Sequence, residues 1–279
     1  HGPGLDGLSA MDRHVIANMG AELGATSSVF PADAQVEAFL KLQNRSGDFQ
    51  VLKADPSCAY DEEAVIDLST LEPLIALPGS PGNVIPVEEV EGEPIYQSYI
   101  GSSANPGYRD FAIAAYIVDG ATIPAGISLD INPSSRQTLA TLTETGELGT
   151  LVQAGARIHQ AGCNGCIGMG QAPATGKNSL RTVPRNFPGR SGTPEDSVWL
   201  CSPETAAASA LVGSIMDPRK IPKYYHVPEE PVPSFSSAKL IVPPVETAKN
   251  QVLEKGPNIK SMPDFEPLET QFEAPVLLV

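Results

Sequence analysis

The chain has 279 residues, 41% of them hydrophobic, and carries 33 acidic against 18 basic side chains for a net charge of −15. That balance argues against nucleic acid and anionic membrane surfaces as partners, and no apolar run is long enough to span a bilayer. Four cysteines in a chain of this length do not make a disulfide framework, so a reducing, cytoplasmic setting is expected.

HGPGLDGLSAMD, at the start, has neither the basic opening nor the apolar core of a secretory signal, and the chain closes on the apolar FEAPVLLV. Both ends read as cut from a longer polypeptide. A helix is expected from about Ser9 to Leu23. Ser9 and Asp12 suit its first turn, Gly24 suits its end, and Met11, Val15, Ile16, Met19 and Leu23 recur at helical spacing as if facing a core. A second helix, ADAQVEAFLKLQ, follows Pro31, and EAVIDLS alternates like a strand. The Pro- and Gly-rich stretch 77–94 is the expected domain boundary.

Beyond it a regular alternation sets in. PIYQSYIG reads as a strand, GYRDFAIAAYIVDGA as a helix, ATIPAGISLD as a strand, and SSRQTLATLTETGELGTLVQAG as one or two helices. ARIHQAG, SLRTVPRNF and DSVWLCS read as three further strands, and PETAAASALVGSIM as a helix with Pro203 in its first turn and Glu204 beside it. Strands alternating with helices define an α/β fold with a mainly parallel sheet. From Pro218 the chain turns proline-dense and non-periodic. The expected organisation is therefore a partial α/β domain over 1–80, an α/β domain over 81–219, and an extended linker over 220–279 that leads to a further domain.

Three polar loops follow three of the expected strands: GSSANPG at 101–107, GCNGCIG at 162–168 and PRNFPGR at 184–190. In open α/β sheets ligands gather beyond the carboxyl ends of the strands, so the three loops should converge on one edge. Cys163 and Cys166 form a Cys-x-x-Cys pair after a strand. That spacing alone serves a redox pair, a structural metal or an iron–sulfur cluster. Arg181, Arg185 and Arg190 stand close together in an acidic chain. Guanidinium forks take carboxylates bidentately, so they suit either surface ion pairs or a polycarboxylate site. GMGQAPATG lacks the endings of a phosphate loop or dinucleotide fingerprint, and no Gly-x-Ser-x-Gly is present.

Taken together, GPGLDGLSAMDRHVIANMGAELGATSSVFP, AGCNGCIGMG, RNFPGR and SPETAAASAL resemble aconitase and its relatives, the isopropylmalate dehydratase large subunits, in the family's order. GPNIKSMPDFEPL is similar to the family's linker before its last domain. The resemblance implies three-layer α/β/α domains and a hydro-lyase that uses a 4Fe–4S cluster as a Lewis acid, interconverting citrate and isocitrate through cis-aconitate in the tricarboxylic acid cycle. An isopropylmalate- or homoaconitate-type acid and a cluster-free, non-catalytic member are the alternatives. Carried over, Cys163 and Cys166 would be cluster ligands, and Arg185 and Arg190 would bind the carboxylates of a small tricarboxylate substrate. Asn18 and Glu22 would lie by the open iron, with Glu22 hydrogen-bonded to water or hydroxyl. The family's remaining cysteine position is occupied by Ser103, and serine oxygen is a poor soft-metal ligand. The cluster would then have two cysteines and a weak third ligand, or recruit Cys201 or Cys58, or be absent. The partners implied are the missing domains of the same polypeptide or a small subunit, and the chain alone is expected to be inactive.

Overall fold

The structure, a computed structural model, describes residues 1–223, 226, 229–233, 244, 252, 254–267 and 270–271. The expected linker over 220–279 therefore falls mostly outside the described residues. Contacts divide the chain into a unit His1–Ser237 and a unit Ala238–Val279. Within the latter, 254–267 contains a turn closed by Ile259 N–H donating to Gly256 O at 3.0 Å.

The first unit is built on a seven-stranded sheet. Its strands in chain order are β1 (Leu74–Ala76), β2 (Val84–Pro86), β3 (Gln97–Gly101), β4 (Ser128–Asn132), β5 (Arg157–Ile158), β6 (Asn178–Arg181) and β7 (Ser197–Leu200), arranged β2-β1-β7-β6-β3-β4-β5. Strands β3 to β7 pair in parallel, while β1 joins β7 and β2 antiparallel, so the sheet is mainly parallel and the fold is α/β. The stretch 77–94 carries the turn of the β1–β2 hairpin on the sheet's edge.

Among the described residues six α-helices accompany it: α1 (Ala10–Glu22), α2 (Ala34–Leu42), α3 (Tyr108–Val118), α4 (Arg136–Thr145), α5 (Glu147–Ala154) and α6 (Pro203–Val212). The largest core cluster joins α3, α4, α5 and α6 to β3 and β4 through Phe111, Ile113, Leu142, Leu151, Ala207, Ile100 and Ile131. Gly146, in the left-handed conformation, separates α4 from α5, which settles the open choice between one helix and two. A second cluster joins Tyr99, Cys166, Val183, Val198 and Leu200, with Met19 of α1 packed against it. The cysteine loop is thus anchored in the core packing through Cys166.

Several local expectations are corrected. EAVIDLS forms no strand; it is exposed throughout, and Asp67 instead caps a 3-10 turn at Leu68–Thr70. Its alternation had no neighbouring strand to pair with. The strand of ARIHQAG is only two residues long, because the chain leaves β4 after Ile158 to enter the loop. SLRTVPRNF is extended only to Arg181. Helix α1 forms as expected, with Ser9 and Asp12 making a reciprocal capping box. Its apolar residues, however, do not become core: among residues 1–73 the single buried side chain is Arg13. Arg13 is held by Asp33 at 2.8 and 3.0 Å and by the carbonyls of Leu5, Leu8 and Pro31.

Candidate functional site

The three loops do meet. Gly101 ends β3 at φ +121, and a Cβ there would collide with the Asn132 carbonyl, so glycine alone lets β3 turn this close to β4. Ser102 follows with φ +69, an unusual conformation for a side-chain-bearing residue. The turn buries Ser102 and brings its Oγ to 3.2 Å from Cys163 Sγ. Cys163 Sγ lies 3.3 Å from Cys166 Sγ. Cys163 is exposed and Cys166 buried. Burial pushes the Cys163 thiol up, but hydrogen bonds from Ser102, Ser103 and Cys166 outweigh it and leave its pKa lowered. Burial, together with the neighbouring Cys163, raises that of Cys166.

The loop is seated from below. Tyr99, wholly buried, donates its hydroxyl to Asn132 Oδ1 at 2.6 Å, and Asn132 Nδ2 donates to Gln160 O at 2.8 Å. Gly165 rests on the Tyr99 ring, and a Cβ at that position would fall inside the ring. Gly165→Ala should therefore destabilise the chain by about 1–3 kcal/mol, read as a lower midpoint in a urea titration. Ser191 Oγ adds a bond of 3.2 Å to Cys166 O, tying the arginine loop to the cysteine loop.

The helix α1 closes the other side. His14 Nε2 and Asn18 Nδ2 approach Ser103 O at 3.1 and 3.4 Å. Glu22, at the end of the same helix, accepts from Arg185 Nε through both oxygens at 2.7 Å. That pairing raises the Arg185 pKa. Because Nε makes both bonds, the outer nitrogens of the fork remain directed elsewhere, and the Arg185 side chain is 41% exposed. Arg190 has a buried Nε that meets no acceptor. Both guanidinium groups act electrostatically on Cys166. A buried donor without an acceptor is costly, and an anion at this place would remove the cost.

A three-thiolate cluster can be tested against this donor set. Two thiols are present, and at the third position stand the hydroxyls of Ser102 and Ser103. Cys58 lies exposed in the irregular stretch 51–60, and Cys201 packs into the core clusters, where burial drives its thiol pKa upward. Among the described residues no three His, Cys, Asp or Glu side chains gather where they could hold a metal ion. The donor set does not fit a cluster that needs three thiolates. Ser102 and Tyr99, both in direct contact with the cysteine loop, escaped sequence reasoning as site residues, since no spacing rule links them to it. Arg181, counted with Arg185 and Arg190 for surface ion pairs or a polycarboxylate site, is instead fully buried with its guanidinium bonded to carbonyls of that loop.

Paired thiols and an arginine loop gather at the carboxyl ends of the parallel strands of an α/β protein, the place where such sheets collect their ligands. Comparison with known proteins narrows this. Residues 1–213 match the model of the aconitase family (aconitate hydratase), and the chain belongs to that family. It is 37% identical over 221 residues to the 3-isopropylmalate dehydratase large subunit 2 of Archaeoglobus fulgidus, covering 79% of this chain and 53% of that protein. It is 39% identical over 223 residues to the 3-isopropylmalate dehydratase large subunit 1 of Thermotoga maritima, covering 79% and 53%. A probable methanogen homoaconitase large subunit of Methanosarcina mazei is 37% identical over 223 residues, covering 79% and 56%. The chain spans about half the length of the curated relatives it matches. No helix among the described residues is long and apolar enough to cross a membrane.

Proposed function

We propose that this chain supplies the carboxylate-binding part of an aconitase-type hydro-lyase acting on a small hydroxy-polycarboxylic acid. The observation that carries the reading is the pair Arg185 and Arg190, one held by Glu22 through Nε and the other with an unsatisfied buried Nε. Each takes one substrate carboxylate, and Asn18 and Glu22 face the hydroxyl-bearing carbon, Glu22 accepting a hydrogen bond from the departing water. The names of the relatives favour an isopropylmalate- or homoaconitate-type acid over citrate. A 4Fe–4S cluster would find two of its thiolates in Cys163 and Cys166, with Ser103 offering only an oxygen.

Turnover needs the rest of the enzyme, either further domains or a small subunit. In support, Val29, Val65 and Ile66 are 79%, 98% and 71% exposed, apolar side chains that another polypeptide would cover. Calorimetric titration with citrate and with 3-isopropylmalate tests the reading. Wild type should bind one of them, Arg190→Met should weaken that binding about tenfold or more, and Glu22→Gln should tighten it by roughly threefold by freeing Arg185 from a partly exposed ion pair. Equal binding by wild type and Arg190→Met, or none by wild type, would overturn it.

A further inference from the structure

Beneath the cysteine loop lies a group that the proposed function does not use. Arg181, the last residue of β6, is among the largest fully buried side chains of the chain. Its guanidinium donates from Nε to Ser179 Oγ at 2.9 Å, from Nη1 to Gly165 O at 2.6 Å, and from Nη2 to Gln97 Oε1 at 2.7 Å and Gln171 O at 2.8 Å. The Tyr99 ring covers its face at 4.9 Å. All four acceptors are neutral. Burial lowers the Arg181 pKa to about 10, which still leaves it charged at neutral pH.

A buried charge without an ionic partner is costly, and an apolar side chain would fill the same space without that cost. What the guanidinium adds is a bridge. Gly165 immediately precedes Cys166 and Gln171 follows it by five residues, so one planar fork closes the loop segment that carries the buried thiol. The fork is itself oriented. Gln97 turns its carbonyl oxygen to Arg181 because its Nε2 donates to Asp130 Oδ2 at 3.0 Å. Asp130 is fixed in turn by Ser128 Oγ at 2.7 Å and by His159 Nε2 at 2.9 Å. His159 stands at the entrance of the loop and Gln171 at its exit, so the network grips both ends.

We infer that Arg181 is the positioning residue of the cysteine pair: its two-carbonyl bridge holds Cys166 buried while Cys163 stays exposed. A lysine at 181 presents a single point charge and cannot span both carbonyls. The inference gives the proposed site its geometry and rests on that reading for its use, but its test does not depend on what the thiols bind. The four cysteines supply internal references, since Cys58 is exposed and Cys201 is partly buried against the core.

The experiment is native-state alkylation of the reduced, metal-free full chain with iodoacetamide, with the rate at each cysteine resolved by peptide mass spectrometry. In wild type Cys58 and Cys163 should react fast, and Cys166 and Cys201 slowly. Arg181→Gln should raise the Cys166 rate about tenfold or more by local opening, with Cys201 unchanged. Arg181→Lys should fall between wild type and Arg181→Gln. An unchanged Cys166 rate in either variant overturns the inference, and so does a rise shared equally by Cys166 and Cys201, which would mean that Arg181 merely stabilises the whole sheet. Should Arg181→Gln not fold, the ratio of Cys166 to Cys201 rates in Arg181→Lys decides alone. Carboxylate titration of the same wild-type sample reports separately on the proposed function, whose failure leaves the labelling pattern intact.

Discussion

Ser103→Cys is expected to turn a chain that retains less than about one iron after anaerobic reconstitution with ferrous iron and sulfide into one that retains about three or more, with matching sulfide. The reason is ligand chemistry at one position. The thiols at 163 and 166 are already adjacent, and Ser103 sits beside Cys163 with its carbonyl approached by His14 and Asn18 from α1. A thiolate there would complete a set of three soft ligands, whereas a hydroxyl must lose its proton at far greater cost to serve a soft metal. Iron and sulfide analysis with visible absorbance reads the outcome. Equally high retention by wild type and Ser103→Cys would show that the serine oxygen suffices as a ligand, and equally low retention that position 103 does not face the thiol pair; either result would overturn the expectation.

The elements of the α/β sheet were legible where local signals are strong. The capping box of Ser9 and Asp12, Pro203 in the first turn of α6, and the strands β3 and β4 all stand where propensity and periodicity place them. Local alternation failed at EAVIDLS because a strand exists only with a partner, and none is adjacent to those residues. The apolar stripe of α1 was legible as a stripe, but its burial depends on what lies across from it. The convergence of the three loops followed from the parallel sheet alone. By contrast, the pairing of Glu22 with Arg185 spans 163 positions, and only the family resemblance placed both at one site. The seat of the cysteine loop was illegible. Nothing in the sequence says that Gly165 rests on Tyr99, or that a guanidinium counted among three arginines for anion binding is instead sealed under the loop.

Asp110→Asn should stabilise the chain at pH 8 by several kcal/mol while leaving its stability near pH 4 little changed. Asp110 lies in the first turn of α3, where its Oδ2 accepts from Gly107 N–H at 2.9 Å. A carboxylate there suits the helix end, but Asp110 is buried, with Asp12 and Glu204 also acting on it. Burial dominates, and the bond from Gly107 and the charge of Arg109 do not offset it, so the pKa rises from 3.8 to about 7. The folded chain thus holds a proton that the unfolded chain releases, and stability must fall as pH rises between those two values. A rise of about three units corresponds to about 4 kcal/mol, fully felt above pH 7 and absent below the unfolded value. Asparagine keeps an oxygen to accept from Gly107 and carries no charge at any of these pH values. Urea midpoints measured from pH 4 to pH 8 should therefore fall with pH in wild type and stay nearly level in Asp110→Asn. Parallel pH profiles for the two proteins would mean that Asp110 titrates as an ordinary carboxylate, its charge met at the helix terminus by Gly107 and Arg109.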